Sequence, residues 1–168
     1  ALASADEGRL LRDLAPFDLW PLVIEAADAQ ADRLAQACVS CRLAAAPAQS
    51  RVLGDMARLR QVLGIVLDNG ARHVAIEGCI DISNRVVDDE LQLIFDDTGP
   101  GVSADLLPRL GERFFRVEAS RNRADGGAGL GLALARRIAE AHHGRLIFAA
   151  SPLGGLRVTL TLPLVATP

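Results

Sequence analysis

Residues 97–101 read DTGPG, and this stretch decides how the rest of the chain is interpreted. Apolar residues alternate up to Asp97, so the pattern predicts a strand that ends at a carboxylate and then turns tightly through glycine. Further along, residues 127–132 read GAGLGL and run into a pattern typical of an amphipathic helix. Because the N–H groups at a helix N-terminus bind phosphate, the two glycine-rich corners together indicate a nucleotide pocket. The first corner would hold the base and the second the phosphates.

Composition excludes several classes of protein. The chain has 168 residues, a length typical of one domain, and half of them are hydrophobic, which is enough to build a core. A formal net charge of −3 gives no general attraction to nucleic acid or to an anionic membrane. All 18 basic residues are arginine, which excludes a Walker P-loop because that motif needs lysine. No apolar run approaches the roughly 20 residues that span a bilayer, so we expect a soluble domain without direct membrane contact.

The three cysteines favour reduced thiols over a metal site or a disulfide. Cys38 and Cys41 form a CxxC motif, but residues 39–43 alternate like a strand. The two thiols would then point to opposite faces, which is unsuitable for chelation. Since no second CxxC motif completes a zinc site, we interpret both thiols, and Cys79 with them, as buried or edge residues in a cytosolic setting.

Hydrophobic periodicity predicts helices at residues 17–35, 56–72 and 128–142. Asp55 is expected to cap the start of the second helix and Gly144 the end of the third. Strands are predicted at residues 38–44, 50–53, 76–87, 90–97, 144–150 and 156–162, with hairpin turns at 88–89 and 154–155. Hairpins join most of the strands and helices lie between them. We therefore predict an α+β fold, a two-layer sandwich of a mixed, mostly antiparallel sheet with helices on one face.

One stripe of the helix at residues 56–72 carries polar residues. Ile65, Asn69, Arg72 and His73 fall at i, i+4, i+7 and i+8 and share a face. An amide oxygen is a reasonable single protein ligand for Mg²⁺, which keeps waters and phosphates as its other ligands. Arg72 and His73 would lie one turn along, within reach of phosphate oxygens. The alternative is an asparagine near a helix end that hydrogen-bonds to the backbone.

Asp97 ends an apolar strand face, and a buried carboxylate must find a hydrogen-bond donor. The exocyclic amine of adenine would serve, because it donates where guanine presents an acceptor. Gly99 and Gly101 would let the chain approach the base closely. The alternative is an Asx-turn between two elements. For the later glycines the alternative is a flexible hinge, and no strand precedes them, which disfavours a Rossmann fold.

The segment between the two glycine-rich corners is long, and a loop of this length in a compact domain is usually functional. It carries five arginines with Phe114 and Phe115 among them. For most of these arginines a solvated, charged face is the better interpretation. Arg116 and Arg121 are the exceptions, as candidates to stabilise charge on a γ-phosphate.

The order of these features resembles the catalytic, ATP-binding domain of two-component sensor histidine kinases, over about residues 17–164. Residues 60–73 look like the N box of that family and residues 97–101 like its first G box. Residues 113–116 look like the F box, and residues 127–144 like the second G box. Four ordered motifs make the resemblance specific.

The resemblance implies a Bergerat ATP-binding fold with ATP and Mg²⁺ as cofactors and residues 102–126 as an ATP lid. It implies transfer of the γ-phosphoryl group to a histidine on a separate dimerisation domain and then to a response regulator. His73, His142 and His143 lack the sequence context of that phosphoacceptor. Residues 1–16 would be a linker from the dimerisation helices and residues 165–168 a tail. The chain would then be the cytoplasmic domain of an inner-membrane sensor.

The resemblance also implies the site residues. Asn69 would bind Mg²⁺, and Asp97 would bind adenine. Arg116 and Arg121 would act with Asn69 in catalysis. The residues expected to contact the nucleotide are Asn69, Arg72, His73, Asp97, Gly99, Gly101, Phe115, Gly127, Gly129, Leu130 and Gly131.

Two further functions are consistent with the same fold. Ile65 stands where the family usually has a second asparagine, and Gly70 replaces a usual alanine, which costs helix stability of about 1 kcal/mol. These departures are the basis for the alternative of a degenerate module that regulates by binding nucleotide weakly or not at all. A serine kinase of the anti-sigma type uses the same fold, but the F box and the helix-like lead segment argue against it.

Overall fold

The structure is a computed structural model, and it describes residues 10–74, 77–113, 115 and 130–166. The strands are β1 Leu14–Asp18, β2 Ser40–Leu43, β3 Arg51–Asp55, β4 Cys79–Val87, β5 Glu90–Asp97, β6 Arg145–Ala150 and β7 Leu156–Pro163. The helices are α1 Leu19–Asp28, α2 Ala31–Gln36, α3 Met56–His73 and α4 Gly131–Ala141, with a 3-10 turn at Leu107–Arg109. Within the described ranges, no helix has the length and apolar character required for a membrane crossing.

Five strands form the main sheet in the order β2-β4-β5-β7-β6, and β1 pairs with β3 in a separate two-stranded ribbon. The β2–β4 pair is parallel, whereas β4–β5, β5–β7 and β6–β7 are antiparallel. The predicted α+β class with a mixed, mostly antiparallel sheet is confirmed. The hairpin turns expected at residues 88–89 and 154–155 are also confirmed, since β4 ends at Val87 and β7 begins at Leu156.

The core lies between the helices and the inner face of the sheet. Helix α3 turns an apolar stripe inward, with Leu59, Val62 and Leu63 fully buried. The sheet contributes fully buried side chains opposite, among them Ile82, Leu91, Leu93, Leu160 and Leu162. Each such leucine or isoleucine contributes about 1.5–3 kcal/mol on burial, so the stripe holds α3 against the sheet.

The outer face of the sheet carries ion pairs. Arg42 on β2 contacts Asp81 on β4 through two hydrogen bonds of 2.6 and 2.7 Å. Its guanidinium holds the pKa of Asp81 below its usual value. Asp81 lies directly opposite Asp96 on β5, and Asp96 in turn lies opposite Arg157 on β7. The four side chains therefore form one row across four neighbouring strands.

The prediction of a single helix at residues 17–35 is wrong. Residues 14–18 form strand β1, in which Phe17 pairs with Val52 on β3. The extended backbone of this pairing prevents a helix from starting at residue 17. The helical part then divides into α1 and α2 at residues 29–30. After this turn Leu34 reaches the core, where it is 3% exposed. Strand β1 also begins three residues before the boundary expected at residue 17.

The end of α4 differs from the prediction in one detail. His143, not Gly144, adopts the left-handed conformation, with φ of 57°. The N–H of Gly144 donates to the Ala139 carbonyl and that of His143 to the Glu140 carbonyl, which is the Schellman pattern. Gly144 is required for another reason. A Cβ at this position would lie 2.1 Å from the carbonyl oxygen of Thr161 on β7.

His142 joins the end of α4 to the start of α3. The ring is buried, Nε2 accepts from the backbone N–H of Asp55 at 3.0 Å, and Nδ1 donates to the Ile138 carbonyl at 2.7 Å. Asp55 is the N-cap of α3, as predicted, and accepts from the Arg58 N–H at 3.1 Å. Burial lowers the pKa of His142, and the two hydrogen bonds fit only the neutral ring.

We expect stability to fall as pH decreases from about 7 to about 5, because His142 takes up its proton more readily in the unfolded chain than in the folded one. The unfolded imidazole has a pKa of about 6.5, so the loss begins near that pH. Urea unfolding across this range measures the effect. His142→Gln, which keeps an acceptor for the Asp55 N–H without a titrating group, should show a flatter dependence. If the free energy of unfolding changed equally with pH in the wild type and in His142→Gln, this role of His142 would be contradicted.

Candidate functional site

A cleft opens between the second half of α3 and the inner face of the sheet. Its volume is about 250 Å³, including the open space at its mouth. The walls are mostly apolar and come from Val66, Leu67 and Gly70 on α3 and from Ile80, Phe95 and Val158 on the sheet. Asn69, Asp96 and Asp97 line the same cleft. Asn69 and Asp97, the residues predicted to bind Mg²⁺ and adenine, are therefore brought together.

Asp97 stands at the end of β5 and is 6% exposed. Its Oδ1 atom accepts two backbone hydrogen bonds, from Gly99 at 2.9 Å and from Leu156 at 3.0 Å. Among the described residues, no donor contacts Oδ2. The Asx-turn and the ligand role are therefore compatible, because one oxygen closes the turn while the other stays available as an acceptor.

Close packing around Asp97 and the loop that follows it explains three of the glycines. A Cβ at Gly155 would lie 2.0 Å from Asp97 Oδ1, so no larger residue fits beside the carboxylate. Gly101 has φ of +70°, a conformation that favours glycine, and packs against the carbonyl of Gly154. Gly99 packs against the carbonyl of His73 at the end of α3. The loop after β5 is thus fixed between α3 and the β6–β7 turn.

Asn69 is half-buried, and its side-chain amide makes no hydrogen bond within the described part of the chain. Its backbone carbonyl accepts from His73 Nδ1 at 2.7 Å. Arg72 is ion-paired through Nε to Asp68 at 2.7 Å, and Asp68 also contacts Arg33 on α2. Arg72 and His73 do not line the cleft walls, although both lie within one turn of Asn69.

The start of α4 lies beside α3. A Cβ on Gly131 would be 3.4 Å from Ile65 Cγ2, one turn before Asn69. Leu130 precedes the helix and is 40% exposed. The N–H groups of the first turn of α4 are thus close to the stripe that carries Asn69. Gly127 and Gly129, expected to extend this corner, lie outside the described residues, as do Arg116 and Arg121.

Phe115 is half-buried and packs against the core. The guanidinium carbon of Arg109 lies 4.2 Å from the centroid of its ring, a distance typical of a cation–π contact. Phe115 is not among the residues that line the cleft. Its observed contacts attach the loop after the 3-10 turn to the body of the domain.

The pair Asp96–Arg157 was not predicted from the sequence. The two side chains form hydrogen bonds of 2.8 and 2.7 Å, and Asp96 is 6% exposed. The hydrogen bond to Asp96 raises the pKa of Arg157. Of the two adjacent carboxylates at the end of β5, Asp96 is thus hydrogen-bonded by Arg157, whereas Asp97 has no arginine partner among the described residues. No local sequence signal marks the Asp96–Arg157 pair, because it depends on the register of β5 against β7.

The cysteines do not contribute to this cleft. Cys38 is exposed, and Cys41 and Cys79 are half-buried free thiols. Burial, with the neighbouring Cys79, raises the pKa of Cys41, which makes its thiol less reactive. In the ranges that the structure covers, no three His, Cys, Asp or Glu side chains are grouped so that they could hold a metal ion.

Comparison with known proteins identifies the family. The sequence profile of the histidine kinase-, DNA gyrase B- and HSP90-like ATPases matches residues 54–166. The chain is 44% identical over 163 residues to the signal transduction histidine-protein kinase BaeS of Escherichia coli (strain K12). The match covers 97% of this chain but 35% of that protein, so the chain spans about a third of its relative's length.

Two solved structures have the same architecture. The ATP-binding domain of PrrB from Mycobacterium tuberculosis is 27% identical with a TM-score of 0.72, covering 92% of this chain and 100% of that one. Full-length ShkA in complex with AMPPNP is 25% identical with a TM-score of 0.79, covering 99% of this chain and 36% of that one. The ordered motifs, the fold and these matches agree, and the chain belongs to the histidine kinase-, DNA gyrase B- and HSP90-like ATPase family.

Proposed function

We propose that this chain is the catalytic, ATP-binding domain of a sensor histidine kinase. It binds Mg-ATP in the cleft and transfers the γ-phosphoryl group to a histidine on a dimerisation domain of the same protein. A response regulator then receives the phosphoryl group. The observation that carries the proposal is one cleft lined by both Asp97 and Asn69, whose Oδ2 atom and side-chain amide have no hydrogen-bond partner among the described residues.

We place adenine in the apolar part of the cleft. Its ring would lie against the side chains of Val66, Ile80 and Phe95 and its exocyclic amine would donate to Asp97 Oδ2. The carboxylate cannot turn away, since Gly99 and Leu156 hold Oδ1. Guanine would present a carbonyl at the same place, opposite an acceptor, and the unpaired oxygens would disfavour its binding. This geometry supports selection of adenine.

The triphosphate would extend from the cleft toward the start of α4, where the N–H groups of the first turn attract anions. Asn69 supplies one neutral oxygen, which suits Mg²⁺ because that ion retains waters and phosphate oxygens as its other ligands. When bound, Mg²⁺ neutralises charge on the phosphates. Arg72 and His73 are close enough along α3 to contact phosphate oxygens. Four residues outside the described ranges stay predictions. The predicted nucleotide contacts are Gly127 and Gly129, and the predicted contacts of the γ-phosphate are Arg116 and Arg121.

The acceptor histidine belongs to another part of the protein. BaeS and ShkA are both longer than the segment that this chain matches, and BaeS is named a signal transduction histidine-protein kinase. We place this chain on the cytoplasmic side of an inner-membrane sensor with residues 1–16 as the linker from the dimerisation helices. No observation on the described residues favours the alternative of a degenerate module. Ile65, one basis for that alternative, has a packing role here because it lies against the start of α4.

The kinase assay tests the proposal directly. The chain incubated with its cognate dimerisation domain and γ-labelled ATP should produce acid-labile phosphohistidine, because the acceptor is then within reach of the γ-phosphate. Without that domain, ATP turnover should be slow. The Asp97→Asn variant is the negative control. Nucleotide binding without label on any histidine would contradict the kinase function and favour the regulatory module.

Asp97→Asn should weaken binding of Mg-ADP by roughly 10- to 100-fold. The amide oxygen would keep the two backbone hydrogen bonds, so its NH₂ group would replace Oδ2 and face the adenine amine. Titration calorimetry measures the change. Asp81→Asn is the matched control, because its carboxylate contacts Arg42 away from the cleft and its loss should leave affinity near that of the wild type. An Asp97→Asn protein with unchanged affinity would show that Asp97 does not read the base.

Asn69→Ala should abolish the gain in ATP affinity that Mg²⁺ confers, because the helix then offers no oxygen to the ion. The affinity of this variant for ATP without Mg²⁺, measured in EDTA, should match that of the wild type. The two titrations separate metal binding from base binding. Asn84→Ala serves as the control, since Asn84 lies on β4 and donates to the Ala45 carbonyl. If the variant kept the full Mg²⁺ effect, Asn69 would not be a ligand.

A further inference from the structure

The segment that leads into β1 is attached to the start of α3. Asp55 Oδ2 accepts from the backbone N–H of Arg12 at 3.0 Å and from that of Asp13 at 3.5 Å. Arg58 Nε donates to the carbonyl of Leu10 at 3.0 Å. Both ends of this four-residue stretch are therefore held by residues in or next to the first turn of one helix.

Asp55 serves two other elements at the same time. Its Oδ1 caps α3 through the Arg58 N–H, and its own N–H donates to His142 at the end of α4. Burial alone would raise the pKa of Asp55, but the hydrogen bonds from backbone amides, Arg12 first among them, outweigh it and lower the pKa. Asp55 thus joins three elements at one buried point, because its ionised carboxylate contacts the lead segment and α3 while its backbone N–H contacts α4.

The same two helices meet again at the cleft. Helix α4 ends beside Asp55 and begins beside Ile65, so it runs antiparallel to α3. Asn69 lies one turn beyond Ile65, at about 21 Å along α3 from Asp55 at the usual rise per residue. Packed helices move as rigid elements, so a tilt of the lead segment at Asp55 would move the cleft with it.

We propose that Asp55 and Arg58 form a clasp on residues 10–13 that orients the nucleotide cleft relative to the part of the protein that precedes this chain. They are positioning residues for phosphoryl transfer, and this role rests on the proposed kinase function. Transfer requires the γ-phosphate and the acceptor histidine to be in line, and a displacement of about 1 Å can cost up to 100-fold in rate. The clasp touches neither the base nor the phosphates, so it acts on transfer and not on nucleotide binding.

Two variants release the clasp by different routes. Asp55→Ser keeps a good N-cap for α3, but its short side chain does not reach the amides of Arg12 and Asp13. Arg58→Met keeps the alkyl chain and the backbone N–H that is capped, and it removes the donor to Leu10. The matched control is Arg60→Met, an arginine of the same helix whose partner is Glu25 on α1.

The full-length kinase is used for transfer, and calorimetry with Mg-ADP and thermal unfolding are measured on the same proteins. Both clasp variants should transfer roughly tenfold more slowly than the wild type, with nucleotide affinity within about twofold. The Arg12 amide should exchange its hydrogen faster in Asp55→Ser. Arg60→Met should behave as the wild type does in all of these measurements.

Three results would overturn the clasp. They are transfer at or above the wild-type rate in both variants, a loss of nucleotide affinity as large as the loss of transfer, or an unchanged exchange rate at Arg12. Arg58→Met keeps the test valid if Asp55→Ser unfolds. A wild-type kinase that binds nucleotide and labels no histidine would instead overturn the proposed function, and the role of the clasp in transfer with it.

Discussion

The two hydrogen bonds on Asp97 Oδ1 hold the candidate site together. One donor is Gly99 in the loop after β5, and the other is Leu156 at the start of β7. A third contact, from the Gly155 N–H to the Asp97 carbonyl, attaches the β6–β7 turn to the same point. Because the carboxylate is buried, these donors compensate for its desolvation and also fix its direction. Asp97 lines the cleft, and with Oδ1 held in this way Oδ2 is the oxygen that remains to accept from a ligand.

Helices α3 and α4 supply the second constraint. Helix α3 lines the cleft with its second half and meets the junction of Asp55 and His142 at its start, and α4 runs beside it from Ile65 to that junction. The buried leucines of α3 hold this helix against the sheet, so the separation between cleft and junction is set by helix length.

Much of this arrangement was predictable from local rules. Asp55 followed by an apolar 3.6-residue period specified α3 with its cap, and paired aspartates between alternating runs specified the β4–β5 hairpin. Residues 14–18 were not predictable in this way, because a strand there depends on a partner at residues 51–55 far along the chain. The same limit applies to the site. Asn69 and Asp97 could be selected by residue type and position, whereas Leu156 contributes only a backbone amide, which carries no signature in the sequence.

His143 shows the same limit at a single residue. Glycine is the usual residue in the left-handed position that ends a helix, and the sequence offers one at residue 144. The left-handed conformation nevertheless lies on His143, and glycine at 144 is required instead by the close approach of the Thr161 carbonyl on β7.

The charged row on the outer face of the sheet has a consequence for encounters with other molecules. Its order across the strands is positive, negative, negative, positive, from Arg42 through Asp81 and Asp96 to Arg157. Like charges directly opposite on neighbouring strands are unfavourable, so each arginine compensates for its own carboxylate and for the repulsion beside it. Such an arrangement has neither net charge nor an overall dipole along the row, and its potential decays over a short distance. This row therefore exerts little long-range attraction on a diffusing partner, and electrostatic steering must arise from other charges.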